Sequence, residues 1–182
     1  FARPVPYHDA NNGGRNVLFR NDGNWQFKNV TVLEGMEQNN RRFSYAASWE
    51  DYDNDGDQDL FVAGRILPNE YPYSPKSYLL NNNGKGVFKD VTLSNAKGLQ
   101  NIGMVSDALW TDFNGDNQPD LMLVGEWMPI TLFENQNGNF NNITQEIGFK
   151  DSDGWWNTIV QADFDQDGDM DYVAGNFGLN SQ

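Results

Sequence analysis

Alternating aspartates around a glycine turn are the residues of this chain with the clearest chemical use. The first such run extends from Asp51 to Asp59, with Gly56 at its sixth position, and Leu60 begins an apolar segment directly after it. A hard cation such as Ca²⁺ is bound by six to eight oxygen atoms at about 2.3–2.6 Å, and carboxylates that alternate around a tight turn can supply them. Glycine permits such a turn because it adopts positive φ without steric cost. The run therefore predicts a calcium-binding loop.

The same pattern occurs twice more, from Asp112 to Asp120 and from Asp163 to Asp171. The third run matches the first closely, whereas the middle run has Asn114 in place of an aspartate and Asn117 in place of the glycine. Asparagine still offers an oxygen atom and tolerates the left-handed backbone region. We therefore predict up to three Ca²⁺ ions, and the sequence leaves open whether the middle loop binds one.

The residues around each loop indicate strands. An EF-hand closes with glutamate at position twelve and lies between helices, whereas these loops close with aspartate at position nine. The segments 46–49 and 60–63 are rich in residues that favour strands and lack helical periodicity. Each loop is therefore expected to connect two strands of a β-hairpin.

Composition narrows the class of protein. The net charge of the 182 residues is −14, and half of the 26 acidic residues lie in the three loops, which disfavours nucleic acid as a partner. No segment has the apolar length of a membrane span. The chain has no cysteine, so calcium replaces disulfides as the available staple. Loops of this type usually need the calcium concentration found outside the cytosol, which favours a secreted or cell-surface protein, and the lack of disulfides favours a bacterial one.

The start of the chain carries little chemistry. Residues 1–15 are interrupted by proline and glycine and are expected to form an irregular lead-in. They contain the only histidine, His8, which we interpret as an incidental loop residue. The absence of a first methionine suggests a processed or excised segment.

A short hairpin motif alternates with the loops. The segments that begin at Leu18, Leu79 and Leu132 each contain an Asx-Gly turn between two short apolar runs, which predicts a β-hairpin. The second run of each hairpin contains a phenylalanine that precedes the first aspartate of the next loop by 24, 24 and 23 residues; these are Phe27, Phe88 and Phe140. Hairpin and loop therefore belong to one repeating unit.

Four strands in a unit of about 50–60 residues are typical of a β-propeller blade. We predict an all-β fold with about three blades' worth of four-stranded antiparallel sheet over residues 16–182: a half-blade at 16–31, blades at 44–92 and 104–144, and a half-blade at 155–176. In the first full blade the predicted strands are 45–50, 60–63, 77–81 and 87–92. About three blades cannot close a ring. We therefore expect either that the chain is a segment of a larger propeller, which we favour, or that copies of the chain complete each other's blades.

Asp-x-Asp-x-Asp-Gly-x-x-Asp loops in such β repeats, with hairpins of the Leu-Phe-Arg-Asn-Asp-Gly type, resemble the FG-GAP/VCBS repeat proteins, which include the integrin α-subunit propeller. The Ala-x-Trp-x-Asp sequence before the first loop is most similar to bacterial secreted relatives of cartilage acidic protein. The resemblance covers residues 16–176 and implies a propeller of about seven blades with calcium on one rim. It also implies the calcium ligands, which are Asp51, Asp53, Asp55, Asp59 and the Asp57 carbonyl; Asp112, Asn114, Asp116, Asp120 and the Gln118 carbonyl; and Asp163, Asp165, Asp167, Asp171 and the Asp169 carbonyl.

Aromatic residues recur near the loops. Trp49, Trp110, Phe113 and Phe164 stand at fixed positions beside them and are expected to pack between blades. A second, less regular set of tryptophans consists of Trp25, Trp127, Trp155 and Trp156. We interpret these residues as inter-blade packing, and a surface that stacks on sugars is the alternative.

The connections of a blade predict where a partner would bind. The calcium loops and the Asx-Gly turns should share one face, and the remaining connections should form the other. The spacing between loops is 61 and then 51 residues, and most of the surplus lies in the segment 65–76, which contains Tyr71 and Tyr73. We expect a protein or glycan partner on the face formed by the segments 34–42, 65–76, 96–103 and 145–154.

Three functions are compatible with these features. The favoured one is a non-catalytic, calcium-stabilised binding or adhesion module that recognises protein or glycan. The alternative is a fragment of a calcium-dependent propeller enzyme, a lyase or hydrolase of polysaccharides, in which Asp107, Glu126 or Asp153 could act, although their spacing marks no catalytic pair. A purely structural role, in which these blades complete a larger propeller, is the third.

Overall fold

The computed structural model describes residues 17–31, 44–67 and 70–178. The lead-in at 1–15 with His8, and the connection at 34–42, lie outside the described residues. Across the described ranges, no helix has both the length and the apolar character needed to cross a membrane.

The described part of the chain is almost entirely β-structure. Its strands, in chain order, are β1 Phe19–Asn21, β2 Phe27–Asn29, β3 Ser44–Glu50, β4 Asp59–Gly64, β5 Tyr78–Asn82, β6 Phe88–Asp90, β7 Met104–Thr111, β8 Asp120–Met128, β9 Thr131–Gln136, β10 Asn139–Asn142, β11 Gly154–Ala162 and β12 Asp171–Asn176. A single helical turn, α1 Thr92–Asn95, follows β6, and 3₁₀ turns occupy Leu99–Asn101 and Phe149–Asp151.

The strands form successive four-stranded meanders. β3 to β6 pair in sequence order as one antiparallel sheet, and β7 to β10 repeat this order. β1 pairs with β2, and β11 pairs with β12. β11 also pairs with the end of β8 over two residues, which joins its sheet to β7–β10. The all-β fold of antiparallel propeller blades is therefore confirmed. We call the two complete sheets the first and second blades, and β11–β12 the third.

The first strands of neighbouring blades lie side by side, because β7 contacts both β3 and β11. The second strands form the interior: every residue of β4 is buried, and in β8 only Trp127 is exposed. One apolar cluster spans the first two blades, and another joins the second blade to the third. Burying these strands on both faces supplies the main stabilising free energy of the fold.

A threonine follows each fourth strand that the structure describes, namely β2, β6 and β10. The Thr92 hydroxyl accepts a hydrogen bond from the Leu79 N–H (2.8 Å) and donates one to the Asp90 carboxylate (2.7 Å). The predicted strand 87–92 is therefore too long, because these bonds end β6 at Asp90 and Thr92 begins α1. Thr31 and Thr144 accept the same bond from the N–H groups of Leu18 and Leu132.

The aromatic residues beside the loops differ in their burial. Trp110 packs as predicted: its ring stacks on Tyr52 of the first blade at 6.2 Å and lies 5.9 Å from Phe140. Packing between blades stays a prediction for Phe164, which is 87 % exposed, and for Trp49, which is exposed although it contacts Phe88 of its own blade. Within the described residues, neither has the counterpart from a neighbouring blade that covers Trp110.

Phe113 stands between these cases, because it is exposed yet lies 6.5 Å from the Tyr172 ring. Among the less regular tryptophans, Trp156 is partly buried against the cluster between the second and third blades. Trp25 and Trp127 are both exposed, but the Trp127 ring lies 5.1 Å from the Trp155 ring of the third blade and so takes part in a contact between blades.

Candidate metal centres

The three acidic loops share one backbone conformation. Residues four and six of each loop have positive φ: Asn54 (58°) and Gly56 (93°), Gly115 (74°) and Asn117 (63°), Gln166 (64°) and Gly168 (99°). Position six was predicted from its glycine, and Asn117 adopts the left-handed region there as expected. Position four was not predicted, because asparagine, glycine and glutamine share no obvious signal.

The first aspartate of each loop holds this turn. Its carboxylate accepts hydrogen bonds from the backbone N–H groups of positions five and six: Asp51 accepts both at 3.0 Å, and Asp112 accepts them at 3.0 and 2.9 Å. Asp163 accepts the bond from Gly168 at 3.2 Å. These hydrogen bonds stabilise the turn within each loop.

Two of the loops bring three carboxylates together. Oxygen atoms of Asp51, Asp53 and Asp59 lie within 4.8 Å of one another, and those of Asp163, Asp165 and Asp171 do the same. A separation of this size lets one cation contact all three carboxylates, so both groups could hold a metal ion.

The remaining predicted aspartates of these loops lie outside the two groups. Asp55 and Asp167 accept hydrogen bonds from the N–H groups of Asp57 and Asp169, both at 3.0 Å. These bonds keep position seven in place within the turn, where its carbonyl is the predicted ligand.

In the middle loop Asn114 stands where the other loops have an acidic ligand. The structure adds a carboxylate that the sequence analysis missed: Glu134 on β9 accepts a hydrogen bond from the Asn114 side chain (3.2 Å). Asn81 occupies the matching position in the first blade and donates to Asp53 (2.8 Å) and Asp59 (3.2 Å). Aligning the hairpins would have found this position, because it directly precedes the asparagine that begins each turn.

The closing aspartate ties the first and middle loops to the hairpin of the same blade. Asp59 accepts a hydrogen bond from the Asn82 N–H and Asp120 from the Asn135 N–H, both at 2.7 Å. The buried Asn135 side chain also donates to the Tyr52 carbonyl of the first blade (2.7 Å). Loops and hairpin turns therefore lie at the same end of the blades, which we call the loop end.

Two buried oxygens in the loops lack a partner among the described atoms, namely Oδ2 of Asp59 and Oδ1 of Asp163. Burial raises the pKa of Asp59 to about 7, and the nearby carboxylates of Asp53 and Asp55 add to the shift. Burial likewise raises the pKa of Asp53 and of Asp120. Buried, clustered carboxylates are costly as free anions, so the residues present fit a cation.

Without metal, stability should depend on pH in a defined direction. The folded-state pKa of Asp59 exceeds its unfolded value, so its stabilising contribution is complete below about pH 4 and is lost as pH rises to about 7. We expect the Tm of calcium-depleted protein to fall by several degrees between pH 5 and pH 7.5, since one pKa unit is worth about 1.4 kcal/mol. Thermal melts by circular dichroism test this. Asp59→Asn should flatten the dependence, and an equal slope in that variant would contradict the assignment to Asp59.

Antiparallel four-stranded repeats with an acidic loop between their first and second strands are β-propeller blades, and two of these loops could hold a metal ion. The FG-GAP-like repeat family matches residues 51–123 and 112–174, which include all three loops. The chain belongs to this family. No curated protein gives a significant match to the chain.

Proposed function

We propose that this chain is a calcium-stabilised, non-catalytic binding module of a secreted or cell-surface protein. The carboxylate groups of the first and third loops carry the calcium part of this proposal. Oxygen-only ligands on flexible loops suit Ca²⁺ better than metals that prefer nitrogen or sulfur. The carbonyls of Asp57, Gln118 and Asp169 complete the proposed coordination, and Glu134 supplies the charge that Asn114 lacks in a third site.

The location follows from the same chemistry. Such loops usually need the calcium concentration of extracellular fluids to bind their ion, because the calcium concentration of the cytosol is too low. We further propose that the chain belongs to a bacterial secreted protein related to cartilage acidic protein.

The partner is proposed to bind opposite the loop end. There the inserted segment 65–76 presents Tyr71 and Tyr73, both of which are exposed. Exposed aromatic residues on a connection between strands are typical of recognition surfaces. The binding surface is then separate from the calcium sites, so calcium would act through folding.

An enzymatic role has less support in the geometry. The Asp107 carboxylate accepts hydrogen bonds from the Thr158 hydroxyl (2.8 Å) and the Ile159 N–H (3.0 Å) of the third blade. Glu126 is buried and paired with Arg65 of the first blade. Both acidic groups therefore join blades, which occupies them structurally.

An array of glycans and extracellular proteins, probed with the labelled chain, tests the proposal. We expect binding in millimolar calcium that is lost after chelation. Tyr73→Ala should weaken it severalfold, whereas Phe164→Ala, an equally exposed aromatic residue at the loop end, should not. Shortening of a polysaccharide by the chain would instead favour the enzyme, and binding that only Phe164→Ala removes would place the partner at the wrong end.

A further inference from the structure

A cleft opens between the first and second blades at the end opposite the loops. Its volume is about 470 Å³, and its walls include Tyr71 and Ser74 of the inserted segment, Met104 at the start of β7, and Glu126 and Trp127 at the end of β8. The first blade reaches it only through the inserted segment. Described residues of the inserted segment thus form one wall of this cleft.

Trp127 lies in the cleft in an unusual backbone conformation. Its φ is +57°, which is rare for a bulky side chain. The register explains this value: Gly154 and Trp155 of β11 are consecutive, but they pair with Met128 and Glu126, so Trp127 is an extra residue in β8. Such a β-bulge redirects a side chain, and the indole is 59 % exposed although the rest of β8 is buried. Backbone strain that exposes an apolar ring points to a functional role.

The inserted segment holds this indole in place. The Trp127 Nε1–H donates a hydrogen bond of 2.7 Å to the hydroxyl oxygen of Tyr71, which is itself 52 % exposed. The indole nitrogen is thereby satisfied within the protein, and the Tyr71 hydroxyl can still donate its own hydrogen. What faces the solvent is a fixed ring with a hydroxyl beside it.

Two further aromatic rings extend the surface. The Trp127 and Trp155 rings lie 5.1 Å apart, and the Trp155 and Phe177 rings 5.4 Å apart. Phe177 is exposed as well. We call Tyr71, Trp127, Trp155 and Phe177 the aromatic ledge. Trp155 is half-buried and the other three residues are exposed, so the ledge is a continuous, partly exposed apolar surface, and such surfaces mark binding sites more often than single scattered residues do.

The charged groups at the cleft neutralise each other. Arg65 Nε donates to Glu126 Oε1 at 2.7 Å, and the guanidinium lies 4.1 Å above the Tyr45 ring. Both side chains are largely buried. The ledge therefore offers a ligand the faces of its aromatic rings and the Tyr71 hydroxyl. The charged groups beside it are already paired with each other.

We propose that the aromatic ledge binds a neutral glycan, with one sugar ring on Trp127 and its neighbours toward Phe177. This rests on the proposed function and names the class of its partner. The negative face of an aromatic ring attracts the C–H groups on the flat side of a pyranose, and sugar hydroxyls match the Tyr71 hydroxyl. Among the described residues, those that line the cleft include no lysine or arginine that could bind the anionic groups of an acidic glycan.

Tryptophan fluorescence and calorimetric titration of the calcium-loaded chain test this inference. The probes are cellohexaose, mannohexaose and chitohexaose as neutral glycans, hexagalacturonate as an acidic one, and a decaproline peptide. We expect at least one neutral hexasaccharide to bind and the last two probes to fail. Trp127→Ala should weaken binding at least tenfold, and Tyr71→Phe, which keeps the ring, severalfold. Trp25→Ala, an exposed tryptophan with positive φ in the β1–β2 turn, is the matched control and should bind normally.

The opposite results are equally defined. Failure of all three neutral probes, tighter binding of hexagalacturonate or decaproline, or unchanged affinity in Trp127→Ala and Tyr71→Phe would overturn the glycan assignment. If the Tm still rises with calcium, and an array protein binds in a manner sensitive to Tyr73→Ala, the proposed function survives that failure. Melts in calcium identify any variant that does not fold, and Tyr71→Phe alone then decides.

Discussion

Removing calcium is expected to lower the Tm of this protein by roughly 10–20 °C. An ion at a hundredfold excess over its Kd stabilises the folded state by about 2.7 kcal/mol per site, and 1 kcal/mol moves Tm by about 2–4 °C for a chain of this size. Two filled loops therefore account for the shift. In the metal-free state the clustered carboxylates of each loop also repel one another. Calorimetric melts in millimolar calcium and in excess chelator measure the difference.

Single substitutions divide this effect between the loops. Asp51→Asn and Asp163→Asn should each reduce the calcium-dependent part of the shift by about half, because each removes a carboxylate from one of the two acidic groups. Asn114→Ala in the middle loop should reduce it less. Asp153→Asn, the same change at an exposed residue outside the loops, is the control. An equal loss in the control would show that general charge causes the effect.

Tyr52→Ala is expected to destabilise the protein by about 3–5 kcal/mol, the usual cost of truncating a buried aromatic residue. Tyr52 is fully buried, stacks on Trp110 and meets the Phe140 ring edge-on at 5.3 Å. It belongs to the loop of the first blade, while both partners belong to the second. The substitution therefore opens the contact between blades as well as creating a cavity.

The repeat supplies a matched control for this prediction. Phe164 occupies the same position in the third loop and is exposed, so Phe164→Ala should change the free energy of unfolding by less than about 0.5 kcal/mol. Urea denaturation of both variants in calcium gives the comparison. Similar losses for the two substitutions would mean that the aromatic residue stabilises its own loop, and that the inter-blade contact contributes little.

The loops and the blade order could be predicted because they depend on local rules. Alternating aspartates with a residue that tolerates positive φ fix the turn, and the first aspartate folds it through bonds to N–H groups four and five residues later. The hairpin turns follow equally local preferences. Even the asparagine at position 117 adopts the expected conformation.

The contacts between repeats could not be predicted, because they depend on how sheets meet in space. The pairing of Arg65 with Glu126 joins matching positions of two blades, and neither residue signals the other in sequence. Glu134 reaches the middle loop only through the register of β9. Trp127 lies near the end of a buried strand and would be expected to be buried as well. The two-residue contact with β11 instead makes it a bulge and turns its side chain outward.

Direct titration of calcium into the decalcified protein tests the central claim, which is that the aspartate loops are calcium sites. We expect at least two ions bound per chain at millimolar calcium, one fewer in Asp51→Asn, and one fewer again when Asp163→Asn is added. Isothermal calorimetry, checked by equilibrium dialysis, gives this number directly. Less than one ion per chain, or an unchanged number in the double variant, would contradict the account.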